Sequence, residues 1–117
     1  AALAAQGLVI PVGGQDGDHA AINRVARGTQ TVSVWKDARQ LGKAAGEIAA
    51  ALASGVEMSA IEGSSIFDGG EKGIEMNALL LKPTPITRET LGVAIDAGHI
   101  SKEAACEGAM AGVAACE

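Results

Sequence analysis

Leu8-Val9-Ile10-Pro11-Val12, followed by Gly13-Gly14-Gln15-Asp16-Gly17 and then Asp18-His19-Ala20-Ala21-Ile22, is the stretch on which the reading of this chain turns. Five apolar residues in a row have the length and composition of a strand covered on both faces, and the glycine-rich segment after them reads as a tight loop. Asp18 stands at the offset of a helix N-cap. Ala21, Ile22, Val25 and Ala26 then recur at helical spacing as a buried side, and Gly28 closes the helix. Strand, loop and helix in that order make a β-loop-α unit. Pro11 has no amide donor, which assigns it to an edge, a bulge or a strand start.

Upstream, residues 1 to 6 read as the last turns of a helix closed by Gly7, with no N-cap before them and no initiator Met. The expectation is a piece of a longer protein, any signal peptide lying ahead of it. Downstream, Thr29 to Lys36 alternates as a second strand, with Val32 and Val34 on one side and Thr31, Ser33 and Trp35 on the other. Asp37 introduces a helix with Leu41, Ala45, Ile48 and Leu52 on its apolar face and Arg39, Lys43 and Glu47 in solvent, stopped by Ser54-Gly55. From Val56 to Gly73 periodicity is lost, with a hairpin turn expected at Asp68-Gly69-Gly70. Ile74 to Lys82 is apolar around Leu79-Leu80-Leu81, and Pro83 and Pro85 impose an extended path. Thr87-Arg88-Glu89-Thr90 then caps a short helix ended by Gly98, and Ser101 with Glu103 opens a last helical turn toward Cys106 and Cys116. Strands alternating with helices give the α/β class.

At 117 residues with a net charge of −5, the chain has room for one core, and its Lys and Arg are too scattered to neutralise a nucleic-acid backbone. No apolar run approaches the roughly 20 residues that a membrane span needs. Trp35 and Phe67 are the aromatic residues and there is no Tyr, so a site gripping its ligand between aromatic faces cannot be built from this chain alone. A straight helix from Cys106 to Cys116 would separate them by about 15 Å, beyond the roughly 7 Å limit for a disulfide. Gly108 and Gly112 allow a bend. A disulfide closing a small loop is the preferred reading and two free thiols on a tail the alternative.

The densest polar cluster is Gly14 to His19, placed after a strand where open α/β sheets hold their ligands. Asp16 is the candidate to accept ligand hydroxyl groups by charge-assisted hydrogen bonds, or else only to order the turn, whereas Asp18 is expected to do no more than cap a helix. Lys36, an ammonium at the end of an apolar strand, can donate to several hydroxyls at once, although its spacing alone favours a snorkelling surface lysine. Trp35 has the opposite strand parity and is expected to pack. An alternative reading makes Asp16, Asp18 and His19 a metal-dependent or acid/base enzyme site, but no second His or nucleophile stands at a completing spacing. His99, in a Gly-His loop, reads as a surface residue. No CxxC or His-rich spacing suggests zinc, and no cofactor is implied.

Gly14-Gln15-Asp16, Arg27-Gly28-Thr29-Gln30-Thr31 and Val34-Trp35-Lys36 resemble, in the same order, motifs of the periplasmic sugar-binding proteins of the xylose-binding and multiple-sugar type. Phe67-Asp68-Gly69-Gly70 resembles that family's aromatic-Asn-Asn-Gly turn, and Leu79-Leu80-Leu81-Lys82-Pro83 with Ile86-Thr87 resembles its Leu-Leu-x-Pro strand and Val-Thr exit. Trp35 in place of the family's usual Tyr, and Gly17 in place of a frequent Ala, are departures.

The resemblance implies the C-terminal part of a two-lobe type I periplasmic binding protein, with a Rossmann-like parallel sheet and flanking helices. On that basis residues 1–34 belong to the C-terminal lobe, 35–78 make a hinge crossing with a helix and strand of the N-terminal lobe, and 79–117 form a return crossing and C-terminal tail. It implies that Asp16 and Lys36 contact a monosaccharide and that a Cys106–Cys116 pair can bridge. It further implies a periplasmic location, delivery to an ABC transporter permease, no catalysis, and a missing N-terminal portion or second chain that completes the site. A membrane sensor as a second partner, and the ligand domain of a sugar-responsive repressor as an alternative identity, remain open at this stage.

Overall fold

The computed structural model describes residues 2–117. In chain order the elements are α1 (Ala2–Ala5), β1 (Gly13–Gln15), α2 (His19–Ala26), β2 (Val32–Trp35), α3 (Ala38–Ala53), β3 (Ser64–Phe67), β4 (Met76–Leu79), β5 (Thr84–Ile86), α4 (Leu91–Asp96) and α5 (Lys102–Cys106), with short 3-10 turns at Met58–Ala60 and Ala114–Cys116. This is a mixed α/β chain. It divides into two compact units, one running up to Lys36 and resuming as Pro83–Glu117, the other formed by Asp37–Lys82.

In the first unit β2 is the central strand, parallel to β1 and antiparallel to β5. The register sets Gln15 opposite Val34, and Pro85 opposite Val34 from the other side. Proline is tolerated there because β5 is an edge strand that needs no donor on its outer side. Ile22, Val25 and Ala26 of α2 meet Trp35, Ile86, Leu91, Ala94, Ile100, Ala105 and Val113 in one core. α2 is amphipathic at the expected positions, with Ala21, Ile22, Val25 and Ala26 buried. Asn23 on the same helix donates to the carbonyls of Ala105 and Glu107 at 3.2 and 2.8 Å, satisfying orphan acceptors at the end of α5.

The deciding stretch folds differently from its reading in one respect. Leu8-Val9-Ile10 is extended but exposed, Val9 at 99 % of its accessible surface, and the strand is the glycine-rich Gly13–Gln15 that follows. The reason is pairing: β1 lies against β2, and β2 has begun only where the Thr31 amide donates to the Val12 carbonyl at 2.9 Å. Earlier residues have no strand alongside them among the described residues. β2 likewise buries Ser33 and Trp35, the side with the polar residue, and leaves Val32 and Val34 half-covered.

In the second unit Asp37 caps α3 by accepting the Arg39 amide at 3.0 Å, and the Arg39 guanidinium returns to the same carboxylate at 2.9 Å. Hydrogen bonding to Asp37 holds the Arg39 pKa above its ordinary value. Leu41 and Leu52, expected on a buried side, are about half exposed. β3 and β4 pair as an antiparallel hairpin with Phe67 opposite Met76, so part of the segment expected to be irregular is a strand. The connection is a loop over residues 68–75 rather than a tight turn, because no short turn joins strands in that register.

A disulfide joins Cys106 to Cys116, with Cα atoms 5.5 Å apart. The chain bends after α5 through Gly108 and Gly112, both in left-handed backbone, which brings the 3-10 turn back to the core. Nearby, Ser101 caps α5 at the Ala104 amide, and the backbone amide and Ser101 hydroxyl hold the Glu103 carboxyl below its ordinary pKa. Closing a loop of this size contributes on the order of 2–3 kcal/mol by the chain-entropy argument. Replacing both cysteines with serine is therefore expected to lower the unfolding free energy by about that amount, read as a reduced urea midpoint; an unchanged midpoint would show that the bridge adds nothing.

Candidate functional site

The carboxyl ends of the parallel strands β1 and β2 carry the two residues singled out from the sequence. β1 ends at Gln15 and delivers Asp16; β2 ends at Trp35 and delivers Lys36. The Lys36 ammonium lies 2.6 Å from Asp16 Oδ1 and donates to Gln15 Oε1 at 3.1 Å. The side chains are 43 % exposed for Lys36 and 66 % for Asp16, so the pair is solvated. Such a pair contributes little stability, about 0–1 kcal/mol. Its chemical content is different: a carboxylate offers about four lone-pair positions and an ammonium three protons, so this contact leaves both with hydrogen-bonding capacity.

The backbone under Asp16 is unusual. Asp16 and Gly17 both have positive φ, 73° and 69°. Asp is among the few side chains that enter this region at modest cost. The turn is fixed by β2: the Asp16 amide donates to the Val34 carbonyl at 2.8 Å, and the Gly17 amide donates to the Ser33 hydroxyl at 3.2 Å. Ser33 is fully buried and its hydroxyl also lies 3.3 Å from the Gln15 carbonyl, so the one polar residue on the inner face of β2 is spent on this turn. The sequence showed Ser33 as an alternation position, with nothing to mark it as a turn anchor.

Glycine at 17 is required twice over. Its φ disfavours any side chain, and a Cβ there would come within 2.7–2.9 Å of the Trp35 side chain. Trp35 itself is 4 % exposed and packs in the core, which removes it as a stacking platform for a ligand. Its ring lies 4.8 Å from the ring of His99.

His99 is not the surface residue expected. It is half-buried, and its Nε2 lies 2.7 Å from the Gly17 carbonyl. His19, first residue of α2, places its own Nε2 2.7 Å from the His99 carbonyl, and the two rings meet edge to face at 5.2 Å. Asp18 stands at the N-cap of α2 but makes no side-chain cap bond, so the capping expected of its carboxylate is not seen. Asp16 engages Lys36 and His19 engages His99, and no group of three or more His, Cys, Asp or Glu side chains among the described residues is arranged to hold a metal ion.

A second concavity, of about 330 Å³, lies at the other end of the sheet, where Arg27 and Gln30 precede β2 and Thr87, Arg88 and Glu89 follow β5. The Thr87 hydroxyl donates to the Glu89 carboxylate at 2.6 Å and, with the backbone amide and Arg88, holds its pKa below the ordinary value. This hollow and the Asp16–Lys36 pair therefore do not coincide. The pair is the candidate site because both side chains leave adjacent parallel strands at their carboxyl ends.

No family model matches the chain. The chain is 37 % identical over 92 residues to the D-xylose-binding periplasmic protein of Escherichia coli strain K12, an alignment covering 77 % of this chain and 26 % of that protein. It is 35 % identical over 105 residues to the D-xylose-binding periplasmic protein of Haemophilus influenzae, covering 87 % of this chain and 30 % of the relative. The chain is thus related in sequence, over most of its length, to these proteins and spans between about a quarter and a third of theirs. No helix is long and apolar enough to cross a membrane, among the described residues.

The geometry at Gly17 makes a direct prediction. Gly17→Ala is expected to cost about 1–3 kcal/mol, from the disfavoured φ and the overlap with Trp35, and to shift the emission of the chain's single tryptophan. Unchanged stability together with unchanged emission would show that the turn does not rest on Trp35.

Proposed function

From that relationship we propose that this chain is part of a periplasmic sugar receptor, which binds a monosaccharide such as D-xylose and passes it to an ABC transporter without catalysing a reaction. The observation that carries the reading is the convergence of Asp16 and Lys36, from the carboxyl ends of adjacent parallel strands, into one solvated pair 2.6 Å apart. A pyranose or furanose displays vicinal hydroxyls that both donate and accept. A carboxylate beside an ammonium matches them: each hydroxyl can donate to Asp16 while accepting from Lys36, and charge-assisted bonds of this kind are the strong ones. Because the pair is self-neutralised before the ligand arrives, a neutral sugar can replace water around it with no net charge buried.

In this reading the complete protein has two lobes. The unit built on β1, β2 and β5 belongs to one, and Asp37–Lys82 belongs to the other, the chain passing between them after Lys36 and before Pro83. The aromatic faces that would sandwich a sugar ring come from outside this chain, since Trp35 is committed to the core. The disulfide is consistent with an oxidising compartment, which favours the periplasm over the cytosolic repressor alternative.

Calorimetric titration of the complete protein against D-xylose and a panel of pentoses and hexoses tests the proposal. A saturable heat for one sugar is expected, and Asp16→Ala or Lys36→Ala should weaken it by roughly tenfold to a few hundredfold, the worth of one or two charge-assisted bonds. Absence of binding across the panel, or full affinity in both variants, would sink the assignment of this site.

A further inference from the structure

We propose that His99 is a positioning residue for the sugar site: its Nε2–H, donated to the Gly17 carbonyl, holds the Asp16–Gly17 turn in the left-handed form that keeps Asp16 beside Lys36. The proposal rests on the sugar-binding reading of that pair and adds to it a residue remote in sequence, 82 positions from Gly17.

Chemistry fixes the direction of both histidine bonds. A carbonyl oxygen only accepts, so each ring nitrogen at 2.7 Å carries a proton: His19 Nε2 donates to the His99 carbonyl, and His99 Nε2 donates to the Gly17 carbonyl. The two bonds run in opposite directions and clasp residues 17–19 to the turn after Gly98. His99 is therefore held in the Nε2-protonated state, with its ring supported on one side by Trp35 at 4.8 Å and by the edge of His19 at 5.2 Å.

The turn has three anchors. Two of them, the Val34 carbonyl on the Asp16 amide and the Ser33 hydroxyl on the Gly17 amide, come from β2, the strand that also delivers Lys36. They fix the amide side of each residue. The third, His99, fixes the carbonyl of Gly17 and comes from outside the sheet. Gly17 has no side chain to restrict it, so without that bond the peptide after Gly17 is free to rotate, and the two bonds from β2 alone oppose relaxation of Asp16, at φ 73°, toward commoner backbone. A turn held by two anchors in place of three places the carboxylate less firmly beside the ammonium and any hydroxyl bridging them. Misplacement of a hydrogen-bonding group by as little as 1 Å is enough to lose its contribution.

The test uses the complete protein and two substitutions that differ in where the donor sits. His99→Gln carries an amide N–H near the position of Nε2, and His99→Asn carries one nearer the position of Nδ1, too short to reach the Gly17 carbonyl. Sugar affinity by calorimetry and melting temperature are measured for both, and long-range proton–nitrogen spectra of the unsubstituted protein report the tautomer. The expected result is an Nε2-protonated His99, affinity within about threefold of the original for His99→Gln, and a loss of about tenfold for His99→Asn, the worth of one hydrogen bond, with similar melting temperatures. Equal affinities in the two variants would overturn the positioning role while leaving the sugar site standing. An Nδ1-protonated His99 would overturn it as well, and decides the matter even if a variant fails to fold. Absence of sugar binding by the unsubstituted protein would instead remove the sugar reading on which the proposal rests.

Discussion

Two consecutive residues, Asp16 and Gly17, stand in left-handed backbone, and the site depends on the close approach of Gly17 to the Trp35 side chain. Trp35 reaches the turn because it is buried beneath it, and it is buried because β2 presents its Ser33 and Trp35 face to α2, α4 and the turn at Ile100. The bulk of the indole dictates that position 17 have no Cβ. The absence of a Cβ permits the sharp reversal that leads from β1 into α2. The reversal in turn projects Asp16 sideways to Lys36 rather than onward along the strand.

The energies in this arrangement are unequal. The ion pair is half-exposed and worth a fraction of what one buried aliphatic residue contributes, about 1.5–3 kcal/mol for Ile22, Leu91 or Ile86. Its geometry is therefore imposed by the scaffold and adds little to it. The disulfide acts at the far margin of the same core, returning Val113 to pack beside Ala105 and Leu91. Stability resides in the α2, α4 and α5 packing, while the Asp16 turn stores a small amount of backbone strain that this packing outweighs. Side chains held in this way can change their water contacts without reorganising the core.

Much of the framework was legible because it is local. The buried positions of α2 follow from 3.6-residue periodicity, Gly28, Gly55 and Gly98 end helices where left-handed backbone is needed, and Asp37 and Ser101 cap as their offsets suggest. The placement of Asp16 and Lys36 at strand ends was legible, because the strands that carry them are local in sequence. Ser33 and His99 were not, since each acts on a residue far along the chain: the Ser33 hydroxyl meets the amide of Gly17, and His99 bridges 82 positions to the same residue. Leu8 to Ile10 misled for a related reason. An apolar run becomes a covered strand only when neighbouring strands lie on it, and a sequence window carries no information about its neighbours.

The sequence by itself determined the alternation of strands and helices, the helix ends, the acidic and aromatic-poor surface chemistry, and the two polar residues placed at strand ends. Those are consequences of periodicity and backbone stereochemistry, which act over a few residues. Only the tertiary structure decided which face of β2 is buried, that Trp35 belongs to the core, that Gly17 has to be glycine, and that two histidines clasp the turn beside Asp16. Each of these depends on which surfaces meet when segments some 80 residues apart are packed together, and packing is a property of the assembled core, not of any stretch of chain.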